Sequence, residues 1–263
     1  MSNTATVLAF DFGASSGRAI RAVCDGQNLN YEEIHRFENI PIEKDGHLCW
    51  DVETLLKEIH TAIQKAGTFD SLGFDTWGVD FGLLDTDGHL LANPVHYRDA
   101  RTNGKPEQAA ARMPAEELYA HTGNQIMAIN TLFQLLALRE QDPELLQKAE
   151  QILFMPDLFA ALLGAEPVCE RSIASTSQML DPRTGQWSRE VLAAYGLNAN
   201  RFAPLVASGT VTGTLANGAK IIAVAGHDTQ CASAAMPCAE EDAEHTAFLS
   251  CGTWSLLGTE LDA

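Results

Sequence analysis

The segment from residue 7 to residue 22 limits the possible folds of this chain more than any other. It has the apolar run V-L-A-F, then D-F-G-A-S-S-G-R at residues 11–18, then A-I-R-A. Apolar runs on both sides of a Gly- and Ser-rich turn predict two short strands joined by a tight loop. Gly13 and Gly17 allow the backbone to approach a ligand, and the N–H groups of such a turn favour an anion. Asp11 ends the first strand and is the residue type that holds a hard cation such as Mg²⁺.

Taken alone, this turn leaves two interpretations open. It is either a turn that binds a nucleotide phosphate or an ordinary hairpin turn. It is not a P-loop, because no Gly-Lys-Ser/Thr sequence follows it. It is not the dinucleotide-binding fingerprint either, because a strand-like run follows it where that motif has a helix.

Composition excludes several classes of function. Of the 263 residues, 46% are hydrophobic and 20% are charged, which is typical of a globular protein with a sizeable core. The net charge of −18 argues against binding to nucleic acid or to an anionic membrane, although a local phosphate site remains compatible with it. We see no secretory signal and no apolar run long enough to span a membrane. The six cysteines lack metal-ligand spacing, so we expect buried, reduced thiols in a cytoplasmic protein.

The first half of the chain alternates predicted strands and helices. A third strand is expected over Leu29–Glu38, a loop over residues 41–50, and two strands within residues 72–84. Asp51 is a suitable N-cap for a helix that ends at Gly67. Its apolar residues recur at helical spacing, at Val52, Leu55, Leu56, Ile59 and Ile63.

The second half is expected to be mostly helical over residues 105–163, including a helix that Pro156 and Asp157 open. Residues 166–215 predict short strands and loops with one helix near residues 188–195. Ile221–Ala225 predicts a buried strand, which leads through G-H-D-T into an Ala-rich helix ending at Pro237. Residues 247–258 repeat the opening pattern of strand, turn and strand. Strands that alternate with helices in this way indicate an α/β protein.

Seven segments together resemble the FGGY carbohydrate kinases, a family of the actin–hexokinase–Hsp70 superfamily. Their order and spacing carry the resemblance, since each is weak alone. They are D-F-G-A-S-S-G-R (11–18), H-R-F-E-N (35–39), F-D-T-W-G-V-D-F (74–81), Y-R-D-A-R-T-N-G (97–104), L-F-M-P-D-L-F (153–159), G-H-D-T (226–229) and S-C-G-T-W-S-L-L-G (250–258).

The resemblance implies an α/β, ribonuclease H-like domain with a mixed five-stranded sheet and helices on both faces. Residues 1–245 would form the N-terminal, sugar-binding domain, and residues 246–263 the first hairpin of a truncated C-terminal, nucleotide-binding domain. Members of the family are usually far longer, so we expect this chain to be the N-terminal half of a kinase. The missing C-terminal domain of the same polypeptide would then be its first partner.

The implied reaction is the ATP-dependent phosphorylation of a ketose, with Mg²⁺. L-Rhamnulose, from L-rhamnose catabolism, is the expected acceptor. Another ketose such as L-fuculose is an alternative, because one methyl or hydroxyl group changes the binding free energy by only about 1–3 kcal/mol. A sugar-binding module without catalysis is a second alternative, because transfer requires ATP to be closed against the sugar.

By resemblance, Asp228 is the catalytic base, and Asp11 holds Mg²⁺ through water. Asp228 also has an ordinary interpretation, as the cap of a helix over residues 229–235. The expected contacts to the ATP phosphates come from Ala14, Ser15, Ser16, Gly17, Arg18 and Thr253. Arg18 has a simpler interpretation as a surface charge.

The sugar is expected to contact Trp77, Gly78, His227, Asp228 and Thr229. Trp77 is otherwise a core residue, and His227 is otherwise a strand-end histidine with satisfied hydrogen bonds. Four further residues are either pocket residues or structural ones: Asp75, Asp80, Asp99 and Arg101.

The hairpin at residues 247–257 carries Phe248, Leu249, Trp254, Leu256 and Leu257, and the sheet that it would join is absent. An unpaired apolar hairpin tends to associate. The sequence therefore predicts that this hairpin folds back on the domain, exchanges between copies of the chain or forms a homodimer.

Overall fold

The computed structural model describes residues 4–238, 242, 245–252 and 255–259. Its strands are β1 (Ala5–Phe12), β2 (Ser16–Cys24), β3 (Leu29–Glu38), β4 (Ile42–Lys44), β5 (His47–Cys49), β6 (Ser71–Thr76), β7 (Phe81–Leu84), β8 (Gln151–Phe154), β9 (Cys169–Glu170), β10 (Leu180–Asp181), β11 (Gln186–Trp187), β12 (Leu205–Val206), β13 (Thr210–Thr214), β14 (Lys220–Ala223), β15 (Ala247–Cys251) and β16 (Ser255–Thr259).

The helices are α1 (Val52–Ala66), α2 (Lys105–Ala109), α3 (Ala115–Thr122), α4 (Thr131–Gln141), α5 (Pro143–Lys148), α6 (Met155–Leu162), α7 (Arg171–Ser175), α8 (Arg189–Tyr195) and α9 (Asp228–Ala234). Two short 3₁₀ turns lie at Ala100–Thr102 and Ala199–Arg201. No helix in the described part of the chain is long and apolar enough to cross a membrane.

The main sheet has the strand order β13-β14-β6-β1-β2-β3. The predicted opening hairpin and third strand are confirmed, because β1, β2 and β3 form an antiparallel meander. β6 pairs parallel to both β1 and β14, so the sheet is mixed as expected. It has six strands instead of the expected five. The extra one is β13, which pairs antiparallel to β14 at the edge of the sheet.

The core lies on one face of this sheet. Phe10 and Phe12 of β1 and Phe74 of β6 alternate with residues of the other face, as the two-residue period of a strand requires. The rings of Phe12 and Phe159 of α6 stack at 4.8 Å, and those of Phe10 and Phe74 at 4.9 Å. On the same face, Arg21 of β2 donates to a carbonyl at the end of α1. α9 contacts β6 from the side of Asp75, so helices cover both faces.

Helix α1 forms as its sequence predicts. The Asp51 side chain accepts a hydrogen bond from the Thr54 N–H at 3.1 Å, and Gly67 ends the helix with φ of 66°. Glu53 and Lys57 form an i,i+4 ion pair at 2.7 Å. Local signals therefore determine both ends of this helix.

Three parts of the predicted secondary structure differ from the structure. Residues 41–50 contain the hairpin β4–β5 where a loop was expected, and the Asp45-Gly46 turn closes it with positive φ at both residues. The mostly helical region is interrupted by β8, which pairs with β7. Helix α7 was not predicted, since only five residues form it. Only the β7–β8 pairing joins residues that are distant in sequence. The turn of β4–β5 and the Glu170 cap of α7 are local signals, but both elements are too short to give a periodic pattern.

The cysteines only partly match the expectation of burial. Cys49 and Cys169 are buried, and Cys231 is half-buried. The side chains of Cys24, Cys238 and Cys251 are exposed.

Candidate active site

A cleft of about 710 Å³ opens beyond the carboxyl ends of β1 and β6. The turn between β1 and β2 forms one wall, and the segment after β6 forms the floor. The start of α9 and the hairpin β15–β16 line the other side. Ligands of open α/β sheets bind in this position, beyond the carboxyl ends of the strands.

The glycine- and serine-rich turn lies at the mouth of the cleft, where Gly13, Ala14, Ser15 and Ser16 all line it. The Gly13 N–H donates to the Ser16 carbonyl at 2.9 Å, so this N–H is already used within the turn. From behind, Asn39 donates its side-chain amide to the Gly13 carbonyl at 2.9 Å and its N–H to the Ser15 carbonyl at 3.0 Å. The turn is therefore held in shape before any ligand arrives.

Gly17 has a different position from the one that its expected role requires. It lies within β2, is buried and is not among the residues that line the cleft. A Cβ atom added to it would lie 2.3 Å from Cζ of Phe37. The close approach that Gly17 permits is thus to the Phe37 ring of β3, not to a phosphate.

Asp11 and Arg18 face each other across β1 and β2 and form an ion pair. Nε and Nη2 of Arg18 lie 2.7 and 2.6 Å from Oδ2 of Asp11. Both line the cleft. The group expected to hold a cation and the group expected to bind phosphate are therefore partners of each other in this structure.

Asp75 adds a second carboxylate beside Asp11, because the two residues pair in register between β1 and β6. Burial, together with the charges of Asp11 and Asp228, raises the pKa of Asp75 to about 8. Asp75 was expected to be either a pocket residue or a structural one. It lines the cleft, so the structure favours a pocket residue. Three carboxylates consequently converge at this end of the sheet.

Asp228 is the first residue of α9, with His227 as the N-cap. The helix was expected to start at residue 229 with Asp228 as its cap, so it starts one residue earlier than predicted. The Thr229 N–H and hydroxyl donate to Oδ1 of Asp228 at 2.5 and 3.1 Å, and Nε2 of His227 lies 3.5 Å from the same oxygen. The Asp228 side chain is 40% exposed and lines the cleft.

His227 and Thr229 also line the cleft. Burial lowers the pKa of His227, so the imidazole is neutral near pH 7. The loop that carries it is tied to the sheet, because the Thr76 N–H donates to the Gly226 carbonyl at 2.9 Å. Both predicted sugar contacts therefore lie beside Asp228.

The segment after β6 forms the floor of the cleft with an unusual backbone. Trp77 is only 6% exposed, so it is largely a core residue, although it also lines the cleft. Val79 has φ of 70°, which is rare for a β-branched residue, and the strand expected to start there begins at Phe81. Its N–H donates to Oγ1 of Thr176 at 3.0 Å, and its carbonyl accepts from the Thr131 hydroxyl at 2.6 Å.

Beneath this floor, the buried carboxylate of Asp80 accepts four hydrogen bonds. Oδ2 accepts from Nε1 of Trp50 at 2.7 Å, from Nε1 of Trp77 at 3.0 Å and from the Tyr97 N–H at 3.1 Å. Oδ1 accepts from Nε2 of Gln134 at 2.8 Å. Burial raises the pKa of Asp80 to about 6, against the effect of these donors. Asp80 is thus a structural residue that fixes the Trp77 indole.

Asp99 and Arg101 are structural as well and do not line the cleft. Asp99 accepts from the Leu48 N–H at 2.9 Å and from the Arg101 N–H at 2.9 Å. Nη2 of Arg101 donates to Oε1 of Gln134 at 2.8 Å, which extends the network around Asp80.

Sequence reasoning missed one wall of the cleft. This wall is formed by Asn124, Gln125, Met127, Asn130 and Thr176. The polar run Asn124-Gln125 directly after the helix-ending Gly123 was the available signal. Thr253 lies outside the described residues, so its expected role stays a prediction. Its hairpin brings Ser250, Gly252 and Leu256 to the cleft.

Comparison with known proteins identifies the family of this chain. The model of the FGGY family of carbohydrate kinases, N-terminal domain, matches residues 6–234. The chain belongs to the FGGY family of carbohydrate kinases. It is 42% identical over 269 residues to a rhamnulokinase from Bacteroides thetaiotaomicron, covering 97% of this chain and 55% of the relative. It is 40% identical over 265 residues to a rhamnulokinase from Halalkalibacterium halodurans, covering 96% and 56%.

Solved structures of carbohydrate kinases confirm the expected actin/hexokinase-like fold. A carbohydrate kinase from Novosphingobium aromaticivorans has a TM-score of 0.82 at 22% identity, over 97% of this chain and 56% of that one. A xylulose kinase from Lactobacillus acidophilus has a TM-score of 0.76 at 17% identity, over 87% and 49%. The chain thus spans about half the length of the relatives that it matches. The domain boundary near residue 245 remains a prediction.

The hydrogen bonds around Asp80 predict a large effect of Asp80→Asn on stability. The introduced amide would turn one donor toward Gln134, whose own Oε1 is occupied by Arg101. Because this leaves two buried donors facing each other, we expect the free energy of unfolding to fall by about 2–3 kcal/mol. Urea unfolding followed by tryptophan fluorescence measures this.

The matched control is the double variant Asp80→Asn/Gln134→Glu, which gives the introduced amide at position 80 an acceptor and gives Arg101 a carboxylate partner. We expect the double variant to recover only part of the lost stability, because Gln134→Glu also removes the hydrogen bond that Nε2 of Gln134 donates to the Ile129 carbonyl at 2.9 Å. An Asp80→Asn protein as stable as the wild type would contradict the assigned network.

The raised pKa of Asp75 predicts a pH-dependent stability. The folded protein keeps a proton on Asp75 that the unfolded chain loses above about pH 4, so Asp75 lowers stability increasingly as the pH rises from about 4 to about 8. In Asp75→Asn, an amide that does not titrate can donate to Asp11 in place of that proton. We expect the variant to exceed the wild type by about 1–3 kcal/mol at pH 8, and by much less at pH 5.

Denaturant unfolding at the two pH values measures this difference. Asp87→Asn, at an exposed aspartate in the turn after β7, is the control and should change stability little at either pH. A gain from Asp75→Asn that is equal at pH 5 and pH 8 would show that Asp75 does not titrate in this way.

Proposed function

We propose that this chain forms the sugar-binding half of an ATP-dependent ketose kinase whose acceptor is L-rhamnulose. The observation that carries the proposal is the position of Asp228, which faces the Asp11–Ser16 turn across one cleft, with Trp77 and Gly78 on its floor. The curated relatives named rhamnulokinase support the choice of sugar. L-Fuculose remains the alternative acceptor, since the two deoxy-ketoses have the same groups and differ only in the configuration of one hydroxyl-bearing carbon.

In the proposed reaction, Asp228 accepts the proton of the attacking sugar hydroxyl at Oδ2. The sugar oxygen forms a bond to the γ-phosphorus, and the bond from that phosphorus to the β,γ-bridging oxygen breaks, which releases ADP. Phosphoryl transfer has a loose transition state, so the base needs its position more than a high pKa. The bonds from Thr229 to Oδ1 hold Asp228 in that position.

The carboxylate oxygens of Asp11 and Asp75 fit Mg²⁺, which takes hard oxygen ligands and retains water. We propose that Asp11 holds Mg²⁺ through water, while Asp75 adds negative charge beside it. When bound, Mg²⁺ neutralises charge on the ATP phosphates. Arg18 would then move from Asp11 to the phosphate oxygens, beside the N–H groups of Ala14, Ser15 and Ser16.

For the sugar, we propose contacts to Trp77, Gly78, His227 and Thr229, which lie around the base. Trp77 offers an apolar contact for a deoxy-sugar methyl group. The neutral His227 and the Thr229 hydroxyl offer hydrogen bonds to sugar hydroxyls. The polar run Asn124-Gln125 on the opposite wall adds further donors and acceptors.

Because the chain spans about half the length of its relatives, we propose that it binds sugar but transfers phosphate poorly alone. Closure over ATP and exclusion of water would need the second domain of a longer polypeptide. Residues 246–263 are then the first hairpin of that nucleotide-binding domain. The reaction uses ATP and free thiols are retained, so we place it in the cytoplasm. The alternative is a sugar-binding module without catalysis, which is also consistent with a chain that spans about half the length of its relatives.

A thermal-shift and calorimetric panel with L-rhamnulose, L-fuculose, L-ribulose, D-xylulose and glycerol tests the proposal. We expect selective stabilisation by L-rhamnulose, because a ligand that binds only the folded state raises the melting temperature. Asp228→Asn should keep this binding and lower any residual ATP-dependent transfer by about 10²–10⁴-fold. Asp87→Asn is the control and should keep both.

Selective stabilisation by a different sugar would show that the acceptor is that sugar, and the proposed site would stand. The absence of a shift with every sugar would contradict a preformed sugar site in this chain. An Asp228→Asn variant with unchanged transfer would show that the base lies elsewhere.

We further propose that the hairpin β15–β16 mediates a homodimer of this chain. Leu249 and Leu257 lie opposite each other in the hairpin and are 62% and 76% exposed. Leu257→Lys should weaken association at least about tenfold, because it places a charge in the apolar contact. Leu29→Lys, at an equally exposed leucine on the edge strand β3, is the control. Sedimentation equilibrium over a range of concentrations measures both, and a wild-type protein that stays monomeric throughout would contradict the dimer.

A further inference from the structure

Helix α7 connects two walls of the cleft that are far apart in sequence. The residue before it, Glu170, reaches the loop that precedes Asp228. The residue after it, Thr176, reaches the floor at Gly78 and Val79. Neither Glu170 nor any residue of α7 was singled out by the sequence motifs.

At the first end, Oε2 of Glu170 accepts four hydrogen bonds. The donors are the N–H groups of Ser172 at 2.9 Å, Ile173 at 3.2 Å and Gly226 at 3.0 Å, and the Ser172 hydroxyl at 2.6 Å. The Ser172 hydroxyl oxygen in turn accepts from the His227 N–H at 3.5 Å. The carboxylate that caps α7 therefore also binds the backbone leading to the proposed base.

The Glu170 side chain is itself fixed from behind. It is 1% exposed, and its Oε1 accepts from the Ser208 hydroxyl at 2.7 Å. Its N–H donates to Oδ2 of Asp157 in α6 at 3.1 Å. On the other side, a Cβ atom on Gly226 would lie 2.9 Å from Pro156, so the loop has no room to shift toward α6. Packing thus holds the Glu170–Gly226 contact in one geometry.

At the second end, Oγ1 of Thr176 accepts the Val79 N–H at 3.0 Å and donates to the Ile173 carbonyl at 2.7 Å. Gly78 packs directly on Thr176, since an added Cβ atom would lie 2.9 Å from its Cγ2. The backbone of Val79 has φ of 70°, a conformation that persists only where its surroundings enforce it. Thr176 supplies part of that enforcement.

The same end of α7 also holds the wall that faces the base. The Asn130 side-chain amide donates to the Thr176 carbonyl at 3.2 Å. The Asn124 side-chain amide donates to the Ser175 carbonyl. The floor and this wall are therefore both attached to α7.

We propose that Glu170 and Thr176 are positioning residues that use α7 as a spacer of fixed length between the proposed catalytic base and the floor of the sugar site. The roles of base and floor rest on the proposed function, whereas the mechanical link does not. Glu170 and Thr176 flank the five residues of α7 and are six positions apart, which corresponds to about 9 Å along the helix axis. A helical spacer holds this distance well, and an error of about 1 Å in such a distance slows an enzyme about 10²-fold.

Backbone amide hydrogen exchange of the unliganded chain, followed by NMR, tests the link without any substrate. Thr176→Val keeps the shape but removes the acceptor, so we expect the Val79 N–H to exchange about tenfold faster. Thr176→Ser keeps the hydroxyl and should restore slow exchange. Glu170→Gln should speed exchange at Gly226 and His227 by a similar factor, while Ser208→Ala, which removes only the bond to Oε1, should not.

The decisive readout is the far end of the helix in each variant. If α7 is a spacer, Thr176→Val also speeds exchange at Gly226, and Glu170→Gln also speeds it at Val79, beyond any change in global stability measured in urea. Effects confined to the near end would overturn the proposal and leave Glu170 and Thr176 as local caps. If Glu170→Gln does not fold, Ser172→Ala removes the contact to His227 and one bond to Glu170, and the same comparison applies.

The outcome is independent of the identity of the sugar. Loss of far-end coupling with normal L-rhamnulose binding would reject the spacer and keep the proposed function. Far-end coupling in a chain that binds no sugar would keep the spacer and reject the function.

Discussion

The parallel pairing of β6 with β1 on one side and β14 on the other determines where the groups of the cleft lie. Parallel strands end at the same edge of a sheet, so Asp11 and Asp75 become neighbours in register. The chain leaving β14 reaches Asp228 at the same edge, where His227 still pairs with Thr76. The short turn between β1 and β2 lines the cleft at the same edge of the sheet. Three carboxylates from distant segments meet because of this topology, whatever ligand they serve.

This convergence has an electrostatic cost. Like charges in a half-buried site raise the pKa of at least one member, and Asp75 is that member because burial adds to the effect of its two charged neighbours. Arg18 offsets part of the negative charge through Oδ2 of Asp11. Without a ligand, the site therefore contains two positive charges, the proton on Asp75 and the Arg18 guanidinium. A bound metal ion would replace both beside the carboxylates. The clustered carboxylates therefore lower the stability of the unliganded fold, and they favour the binding of a cation together with an anionic ligand.

The sequence predicted the elements whose signals are local. The β1–β2 hairpin, β3 and α1 have their turn and cap residues within a few positions, and the hairpin places Asp11 at a strand end. The apolar run of β14 likewise predicted that His227 and Asp228 follow a buried strand. Contacts between distant residues were beyond this reasoning. The positive φ of Val79 depends on Thr131 and Thr176, and the role of Gly17 depends on Phe37. The motif residues were thus easier to identify than the residues that hold them.

Those supporting residues form two layers beneath the cleft. Asp80 holds the indole rings of Trp50 and Trp77 from below, and Thr176 holds the strained backbone just after Trp77 from the side. A strained segment costs about 1–3 kcal/mol, and it survives because several buried hydrogen bonds enforce it at once. Thr176 itself lines the cleft, whereas Thr131 and Asp80 do not. The chain accordingly uses buried polar groups, which are costly to leave unpaired, to fix the few atoms that a sugar would touch.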